Sequence, residues 1–186
     1  MRDPELAALA HAHRLAVTVR DADEIALART AGIGVDRVAF RCGAEPDEIR
    51  RAAALGVARF AVSTERHVAV LAGCAQPIKY VHLHLRGPVV LGDHDLRVVG
   101  MYCEVMDPDG GWGLAVQGLL ARTATMRRCG LAVGRVSLVG GSANGWLRGC
   151  APKLNGIVAT VDEALDEGCA RWRLPRPAVT LVPLTL

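Results

Sequence analysis

The 186-residue sequence has little of several features that mark particular classes of protein. It lacks a run of about 18 apolar residues, the length that a membrane-spanning helix needs. It also lacks a basic cluster, and its formal net charge is only +3, so nucleic acid binding has little electrostatic support. Its six cysteines include no Cys-x-x-Cys pair, which argues against a zinc cage or a disulfide framework, and we expect Cys42 and Cys103 to be core thiols. The first five residues lack the basic-then-apolar order of a signal peptide, and we expect a cytoplasmic protein.

The composition that is present favours a globular chain with a substantial core. Apolar residues make up 51% of the sequence, and no linker or change of composition divides it. We therefore predict one domain over residues 1–186. Lysine is scarce: the sequence has two lysines, Lys79 and Lys153, and 20 arginines. Lys79 begins a predicted strand, and we assign it no catalytic role.

Short apolar runs alternate with helical stretches that end at a glycine. The first three runs begin at residues 15, 37 and 59, and each precedes a helix signal. This spacing predicts a βα repeat, with parallel strands and with helices outside the sheet. The predicted strands are 15–19, 37–42, 59–63, 78–85, 98–105, 135–139 and 178–182. The predicted helices are 4–14, 21–30, 46–55, 65–72, 112–128 and, from a capping box at Thr160 and Glu163, 160–171; we expect irregular turns over 142–156.

Several segments resemble one family. Glu24-Ile25 precedes Gly32 and the strand at Val38–Phe40, and the next helix reads Glu48-Ile49-Arg50-Arg51-Ala52-Ala53-Ala54-Leu55-Gly56-Val57. In this order the chain resembles the pyridoxal-phosphate-dependent amino-acid decarboxylases, namely the diaminopimelate and ornithine decarboxylases with an alanine-racemase-like barrel. Gly100–Asp107 then corresponds to the family's Gly-x-x-x-His-x-Gly-Ser, and Val136–Gly141 to its Leu-Asp-x-Gly-Gly-Gly.

The resemblance implies an α/β fold of the TIM-like (β/α) barrel type. A complete barrel of this kind has eight strands, whereas the sequence predicts seven. We therefore expect an incomplete barrel of about seven parallel strands that lacks the first strand. We also expect the C-terminal β-domain of the family to be absent.

The residues that contact the cofactor in the family are replaced here. The histidine that stacks on the pyridine ring corresponds to Glu104, and the glycine and serine near the phosphate correspond to Met106 and Asp107. The first of three phosphate-loop glycines corresponds to Val139, and the Glu-Pro-Gly-Arg facing the ring nitrogen corresponds to residues 182–185. The Schiff-base lysine belongs to the first strand. Because acidic side chains repel phosphate and no aldimine forms without a lysine, we expect no pyridoxal phosphate and no other cofactor.

These substitutions predict a pseudoenzyme related to the amino-acid decarboxylases that acts as an assembly or regulatory partner of an enzyme. Strands 15–19 and 178–182 would each leave an unpaired edge in an incomplete barrel. Pairing of these edges with another chain predicts a homodimer or a hetero-oligomer. Alternatively, the two edges pair with each other in a seven-stranded closure.

The alternative function is a small-molecule or phosphate-binding enzyme that uses the barrel mouth with new groups. Tyr102, Glu104 and Asp107 would then be the catalytic residues. An anion site at the loop after strand 135–139, where many barrels bind phosphate, would include Gly140, Gly141, Ser142 and Arg148. A turn-rich loop without a ligand explains the same residues. A lysine from a partner chain, or Lys153 reaching inward from its loop, would supply the missing amine; a solvated Lys153 is the simpler reading.

One further cluster has metal-binding chemistry. His82 and His84 alternate with apolar residues, so both point to one face of their strand, and Tyr102 and Glu104 do likewise on the next strand. If the two pairs face inward, His82, His84 and Glu104 form a two-histidine, one-carboxylate set suited to Zn or Fe(II). A hydrogen-bonded polar plug, or histidines that face the helix layer, fit the same alternation.

Overall fold

The computed structural model describes residues 3–75, 78–88, 96–106, 110–141 and 151–182, with the backbone alone at 151–153. This part of the chain contains seven strands and six α-helices, and every predicted strand is present. The chain divides into two compact units at residues 98 and 99. The prediction of a single domain over residues 1–186 stays a prediction.

The first unit repeats strand and helix at the pitch that the sequence predicts. Its strands pair in parallel from one repeat to the next. Its elements are α1 (Pro4–Ala12), β1 (Val17–Val19), α2 (Ala22–Thr30), a 3₁₀ turn (Val35–Arg37), β2 (Val38–Arg41), α3 (Pro46–Ala54), β3 (Arg59–Val62), α4 (Glu65–Ala72) and β4 (Lys79–His84).

Side-chain caps determine where these helices begin. The Asp3 carboxylate accepts from the Glu5 amide at 2.9 Å at the start of α1, and the Asp21 carboxylate accepts from the Glu24 amide at 2.8 Å at the start of α2. Glu48 of α3 reaches across to accept from the Ala22 amide at 2.9 Å. Amide groups that helix geometry leaves unpaired are thereby satisfied, and α2 is tied to α3.

The strands of the first unit each bury one face. The register places Phe40 beside Phe60 and Phe60 beside Val81, and the two phenylalanine rings lie 6.1 Å apart between centroids. The opposite face carries less buried residues, including Arg41 and His82. Parallel sheets usually bury both faces, so this polar face is an unusual feature of the unit.

A buried lysine begins β4. The Lys79 side chain is fully buried, and its Nζ donates to the carbonyl of Cys74 at 2.7 Å. That carbonyl lies just past the end of α4, where a positive charge is favoured by the helix dipole. The contact gives Lys79 a structural role at the start of its strand.

The second unit is built around two long helices. Its strands also pair in parallel, β5 with β6 and β6 with β7. Its elements are β5 (Leu96–Glu104), α5 (Trp112–Arg128), β6 (Arg135–Val139), α6 (Ala151–Trp172) and β7 (Ala178–Val182).

The start of α6 corrects one prediction. The capping box at Thr160 predicted a helix from 160, but α6 begins at Ala151, and the predicted irregular loop is helical over 151–156. Thr160 lies inside the helix, where its hydroxyl donates to the carbonyl of Gly156 at 3.0 Å. A proline such as Pro152 suits the first turn of a helix, and the single Gly156 is not enough to break it.

Helices α5 and α6 pack closely because glycines lie at their contact. A Cβ atom on Gly168 would collide with the Leu120 side chain, and one on Gly113 would lie 3.6 Å from the Thr160 methyl group. Behind α5, the Thr123 hydroxyl contacts the sulfur of Met101 at 3.7 Å. These contacts place α5 between α6 and the face of β5 that carries Met101.

No helix in the described ranges is long and apolar enough to cross a membrane.

Candidate functional site at the carboxyl ends of the strands

The carboxyl end of β5 carries two of the predicted catalytic residues. Tyr102 and Glu104 alternate with Met101 and Cys103, so they share the face of β5 opposite to the one that contacts α5. Tyr102 is only 4% exposed, whereas Glu104 is half-buried. The third predicted residue, Asp107, lies outside the described residues.

The register with β6 identifies the neighbours of these side chains. Tyr102 pairs with Ser137, and Glu104 pairs with Val139. Side chains paired in this way project to the same face of a sheet, so the Glu104 carboxylate has a buried apolar neighbour in Val139, which is 9% exposed. The end of β5 and β6 therefore presents a carboxylate beside a valine.

The glycines after β6 have structural duties of their own. The Gly140 amide donates to the carbonyl of Val182 at 2.9 Å and so belongs to the hydrogen bonding between β6 and β7. A Cβ atom at Gly140 would lie 3.1 Å from Cη2 of Trp112 and 3.1 Å from Cβ of Val105. Only glycine fits there without displacing the Trp112 ring, which is 2% exposed.

One residue of the predicted anion site, Gly140, is unable to bind an anion through its amide. Because its amide is already engaged, Gly140 has no backbone N–H to offer an anion. Gly141 adopts a φ of +68°, a conformation that favours glycine. Ser142 and Arg148 lie outside the described residues, so the anion site stays a prediction.

The two histidines of β4 lie on one face, as their alternation predicted. His82 and His84 are half-buried, while Val81 and Leu83 are buried on the opposite face. His82 pairs with Ala61 of β3, which in turn pairs with Arg41 of β2. The histidines thus belong to the polar face of the first unit.

The metal hypothesis gains no support from these positions. Over the ranges given above, no group of three or more His, Cys, Asp or Glu side chains is placed to hold a metal ion. The set of His82, His84 and Glu104 stays a prediction from sequence.

A contact between Ser63 and His67 was missed by the sequence reasoning. The Ser63 amide donates to Nδ1 of His67 at 3.4 Å, and the Ser63 hydroxyl lies 3.5 Å from the same nitrogen. The Thr64 hydroxyl accepts from the His67 amide at 3.3 Å and caps α4. Thr64-x-x-His67 has the spacing of a capping box, with histidine in the usual place of glutamate and with the return bond to the Ser63 amide instead of the Thr64 amide; this spacing was the signal available in the sequence.

Burial controls the titration of His67. Desolvation lowers the pKa of the imidazole below its ordinary value of 6.5, a hydrogen bond with the Gly43 backbone opposes that effect, and the positive charge of Arg66 adds to it. A neutral imidazole can accept from Ser63, whereas a protonated one has no acceptor nitrogen. The neutral ring joins the ends of β2 and β3 to the start of α4.

Cys42 is a core thiol, as predicted. It is 5% exposed, and burial raises its pKa to about 12. A thiol with this pKa stays protonated at neutral pH, so it lacks the thiolate that nucleophilic chemistry requires. Cys103, the second predicted core thiol, is only half-buried, and its sulfur contacts the carbonyl of Glu104 at 3.4 Å.

Comparison with known proteins relates the chain to amino-acid decarboxylases through structure. No family model matches the chain, and no curated protein matches it in sequence. Ornithine decarboxylase from Entamoeba histolytica superposes with a TM-score of 0.73 at 16% identity, over 97% of this chain and 53% of that one. Diaminopimelate decarboxylase from M. jannaschii gives a TM-score of 0.79 at 12% identity, over 97% and 50%.

A third solved structure agrees with these two. Lysine/ornithine decarboxylase from Vibrio vulnificus, solved with putrescine, gives a TM-score of 0.75 at 17% identity, over 98% of this chain and 54% of that one. The chain spans about half the length of the decarboxylases that it matches. Identities this low show the fold alone. The comparisons confirm the predicted fold class: this chain has the α/β fold of an incomplete TIM-like barrel, of the kind found in ornithine, diaminopimelate and lysine decarboxylases.

Proposed function

We propose that this chain is a decarboxylase-like protein that does not use pyridoxal phosphate and that acts as an assembly or regulatory partner of an enzyme. The observation that carries the proposal is the pair formed by Glu104 and Val139 at the carboxyl ends of β5 and β6. At these two positions the family that the sequence resembles has a histidine and a glycine. Both substitutions act against the cofactor.

The chemistry of each substitution is adverse to the cofactor. A carboxylate at Glu104 cannot stack on a pyridine ring as an imidazole does, and it repels a phosphate dianion nearby. The Val139 side chain occupies space where a glycine would let a phosphate approach the backbone. The Gly140 amide, bonded to Val182, does not donate to an anion. These features support our proposal that the chain does not use the cofactor, and we assign the cofactor no step here.

The lysines support the same conclusion. Lys79 is fully buried at the amino end of β4, where it donates to the Cys74 carbonyl. Formation of an aldimine needs an amine that a carbonyl compound can reach. A fully buried amine that is held by a backbone carbonyl does not meet this condition. Lys153, whose side chain lies outside the described part, is the other lysine of this sequence.

The partner role rests on the outermost strands. β1 pairs with β2, and β7 pairs with β6. β1 and β7 are therefore the outermost strands of their units. Exposed strand edges are usually covered by another element or by another chain. An assembly partner that supplies structure rather than chemistry would use such edges.

The alternative function, a small-molecule enzyme, is favoured by one observation. Tyr102 and Glu104 share a face of β5 and are paired with Ser137 and Val139, so a phenol, a hydroxyl and a carboxylate lie on adjacent strands. Groups of this kind can exchange protons with a bound substrate. Substrate turnover by the purified chain without added cofactor would favour this function over the partner role.

The experiment that tests the proposal is titration of the purified chain with pyridoxal phosphate. We expect no aldimine absorbance band, no lysine modified after borohydride reduction, and no release of carbon dioxide from ornithine, lysine or diaminopimelate. A borohydride-fixed adduct that maps to Lys153 and disappears in Lys153→Arg would overturn the proposal. The Lys79→Arg variant is the matched control: because the buried Lys79 should carry no adduct, its replacement should leave any adduct on Lys153 unchanged.

A further inference from the structure

Strand β7 is more exposed than any other strand of the described chain. None of its five residues is buried: Ala178 and Thr180 are exposed, and Val179, Leu181 and Val182 are half-buried. Its neighbour β6 buries Val136, Leu138 and Val139. Strands of parallel sheets are usually covered on both faces, so an apolar strand with this exposure suits burial against a further chain.

The hydrogen bonds of β7 show which of its backbone groups face outward. The Ala178 amide donates to the Gly134 carbonyl at 3.0 Å, and the Val182 carbonyl accepts from Gly140 at 2.9 Å. The N–H and C=O of one residue point to the same edge of a strand, and successive residues alternate. Alternate residues from Ala178 to Val182 therefore face β6. Val179 and Leu181 point their N–H and C=O groups to the outer edge.

Two prolines flank β7 in the sequence. Pro177 precedes β7, and Pro183 follows it. Proline has no N–H to donate to a neighbouring strand. An added strand must therefore align with Val179 and Leu181, the described residues whose N–H and C=O groups point outward.

The segment between these prolines is complementary to itself. It reads Ala-Val-Thr-Leu-Val, contains no charge, and is nearly symmetric about Thr180. A twofold axis at Thr180 pairs Val179 with Leu181 of a second copy and Leu181 with Val179, so that all four outward N–H and C=O pairs are satisfied. Thr180 then faces Thr180 of the second copy, and threonine pairs of this kind are favourable.

We propose that β7 is the dimerisation strand of this protein, paired antiparallel with β7 of a second copy about a twofold axis at Thr180. The proposed function has the chain assemble through the edges of β1 and β7, and this dimer names the partner at β7. The dimer rests on the proposed function only for the expectation that the chain assembles. The charge pattern favours a second copy, because an uncharged strand meets its own copy without repulsion. β1 is shorter and lies next to Arg20 and Asp21, so it does not offer the same symmetry.

The expected dimer is weak. Pairing of one five-residue strand falls below the roughly 1,000 Å² of a stable interface, so we expect a dissociation constant of roughly 10–100 µM. Sedimentation equilibrium at concentrations that span this range should show a monomer–dimer equilibrium. A chain that stays monomeric throughout would overturn the inference, whatever the titration with pyridoxal phosphate shows.

Two substitutions at Thr180 locate the interface. Thr180→Asp places two carboxylates opposite each other across the axis, and we expect it to weaken the dimer at least about tenfold. Thr180→Asn is the matched control, because asparagine has nearly the same shape as aspartate without the charge, and it should dimerise like the parent chain. Thr180 is exposed, so neither variant disturbs the core; equal circular dichroism checks this. An undiminished dimer in Thr180→Asp contradicts the inference.

A cross-link tests the register. Residues at the axis of a non-hydrogen-bonded antiparallel pair have Cα atoms about 4.5 Å apart, within the range of a disulfide. Thr180→Cys should oxidise to a dimer, and mass spectrometry should find the peptide in which a disulfide joins position 180 of one copy to position 180 of the other. Ala178→Cys is the control on the same face, because two copies of residue 178 would lie about 14 Å apart in this register. Equal cross-linking of both variants would contradict the pairing about Thr180.

Discussion

Replacement of Gly140 by alanine tests whether this glycine is required for packing. The added Cβ would lie 3.1 Å from Cη2 of Trp112 and 3.1 Å from Cβ of Val105, and 3.2 Å from Cζ2 of Trp112. Carbon atoms in contact usually lie about 3.5–4.0 Å apart, so the neighbours must move by a few tenths of an ångström. Both neighbours are buried, and Trp112 is held at the start of α5. The substitution therefore overpacks the site.

The magnitude follows from two opposing effects. Overpacking a well-filled site costs about 1–3 kcal/mol. The lower entropy of alanine in the unfolded chain returns about 0.4–1 kcal/mol. Gly140 has no positive φ, so backbone strain adds nothing. We expect Gly140→Ala to lower the free energy of unfolding by about 1–2 kcal/mol.

Urea denaturation followed by far-ultraviolet circular dichroism measures this change. Gly134→Ala is the matched control: it lies in the same unit, a Cβ there meets nothing within 4 Å, and its φ is not positive. The control should be as stable as the parent chain or up to about 1 kcal/mol more stable. Trp112→Phe removes the indole atoms among the three nearest to the new Cβ and leaves Cβ of Val105, so in that background Gly140→Ala should cost less but not nothing. If Gly140→Ala is as stable as Gly134→Ala, the packing account of Gly140 is wrong.

Three further predictions concern other groups of the described structure. The pKa of His67 is lowered in the folded state, so below pH 6.5 the unfolded state binds more protons than the folded state. The free energy of unfolding should therefore decrease more steeply below pH 6.5 in the parent chain than in His67→Gln. Urea midpoints at several pH values measure this, and parallel profiles of the two proteins would refute it. Lys79→Met loses the hydrogen bond to Cys74 and leaves that carbonyl without its donor, so it should lower the free energy of unfolding by about 1.5–3 kcal/mol, and an unchanged urea midpoint would exclude a stabilising role for the amine. Metal analysis of protein purified without chelator tests His82, His84 and Glu104: bound zinc or iron that is lost in His82→Ala would establish the site, and a metal-free protein removes it.

The sequence predicted the strands well because their signals are local. Apolar runs that end at a glycine place β6 and α5 at the residues where the structure has them. The start of α6 was mistaken because two local signals compete: the capping box at Thr160 is the stronger pattern in the sequence, but a helix already formed from Ala151 leaves no unpaired amide at Thr160 to cap.

The candidate site was predicted less well, and the reason is also physical. Alternation along β4 and β5 correctly placed side chains on faces, since that depends only on strand geometry. The contact of Trp112 with Gly140 joins residues far apart in the chain, and no local pattern announces it. Likewise, whether the Gly140 amide is available depends on its pairing with Val182, which only the arrangement of β6 and β7 decides.

Equilibrium titration of the purified protein with pyridoxal phosphate, followed by borohydride reduction and peptide mapping, tests the proposal that this decarboxylase-like chain does not use that cofactor. We expect the spectrum of the free cofactor at every ratio of cofactor to protein, with Lys79 and Lys153 unmodified. A saturable aldimine band with a reduced adduct on either lysine would contradict it.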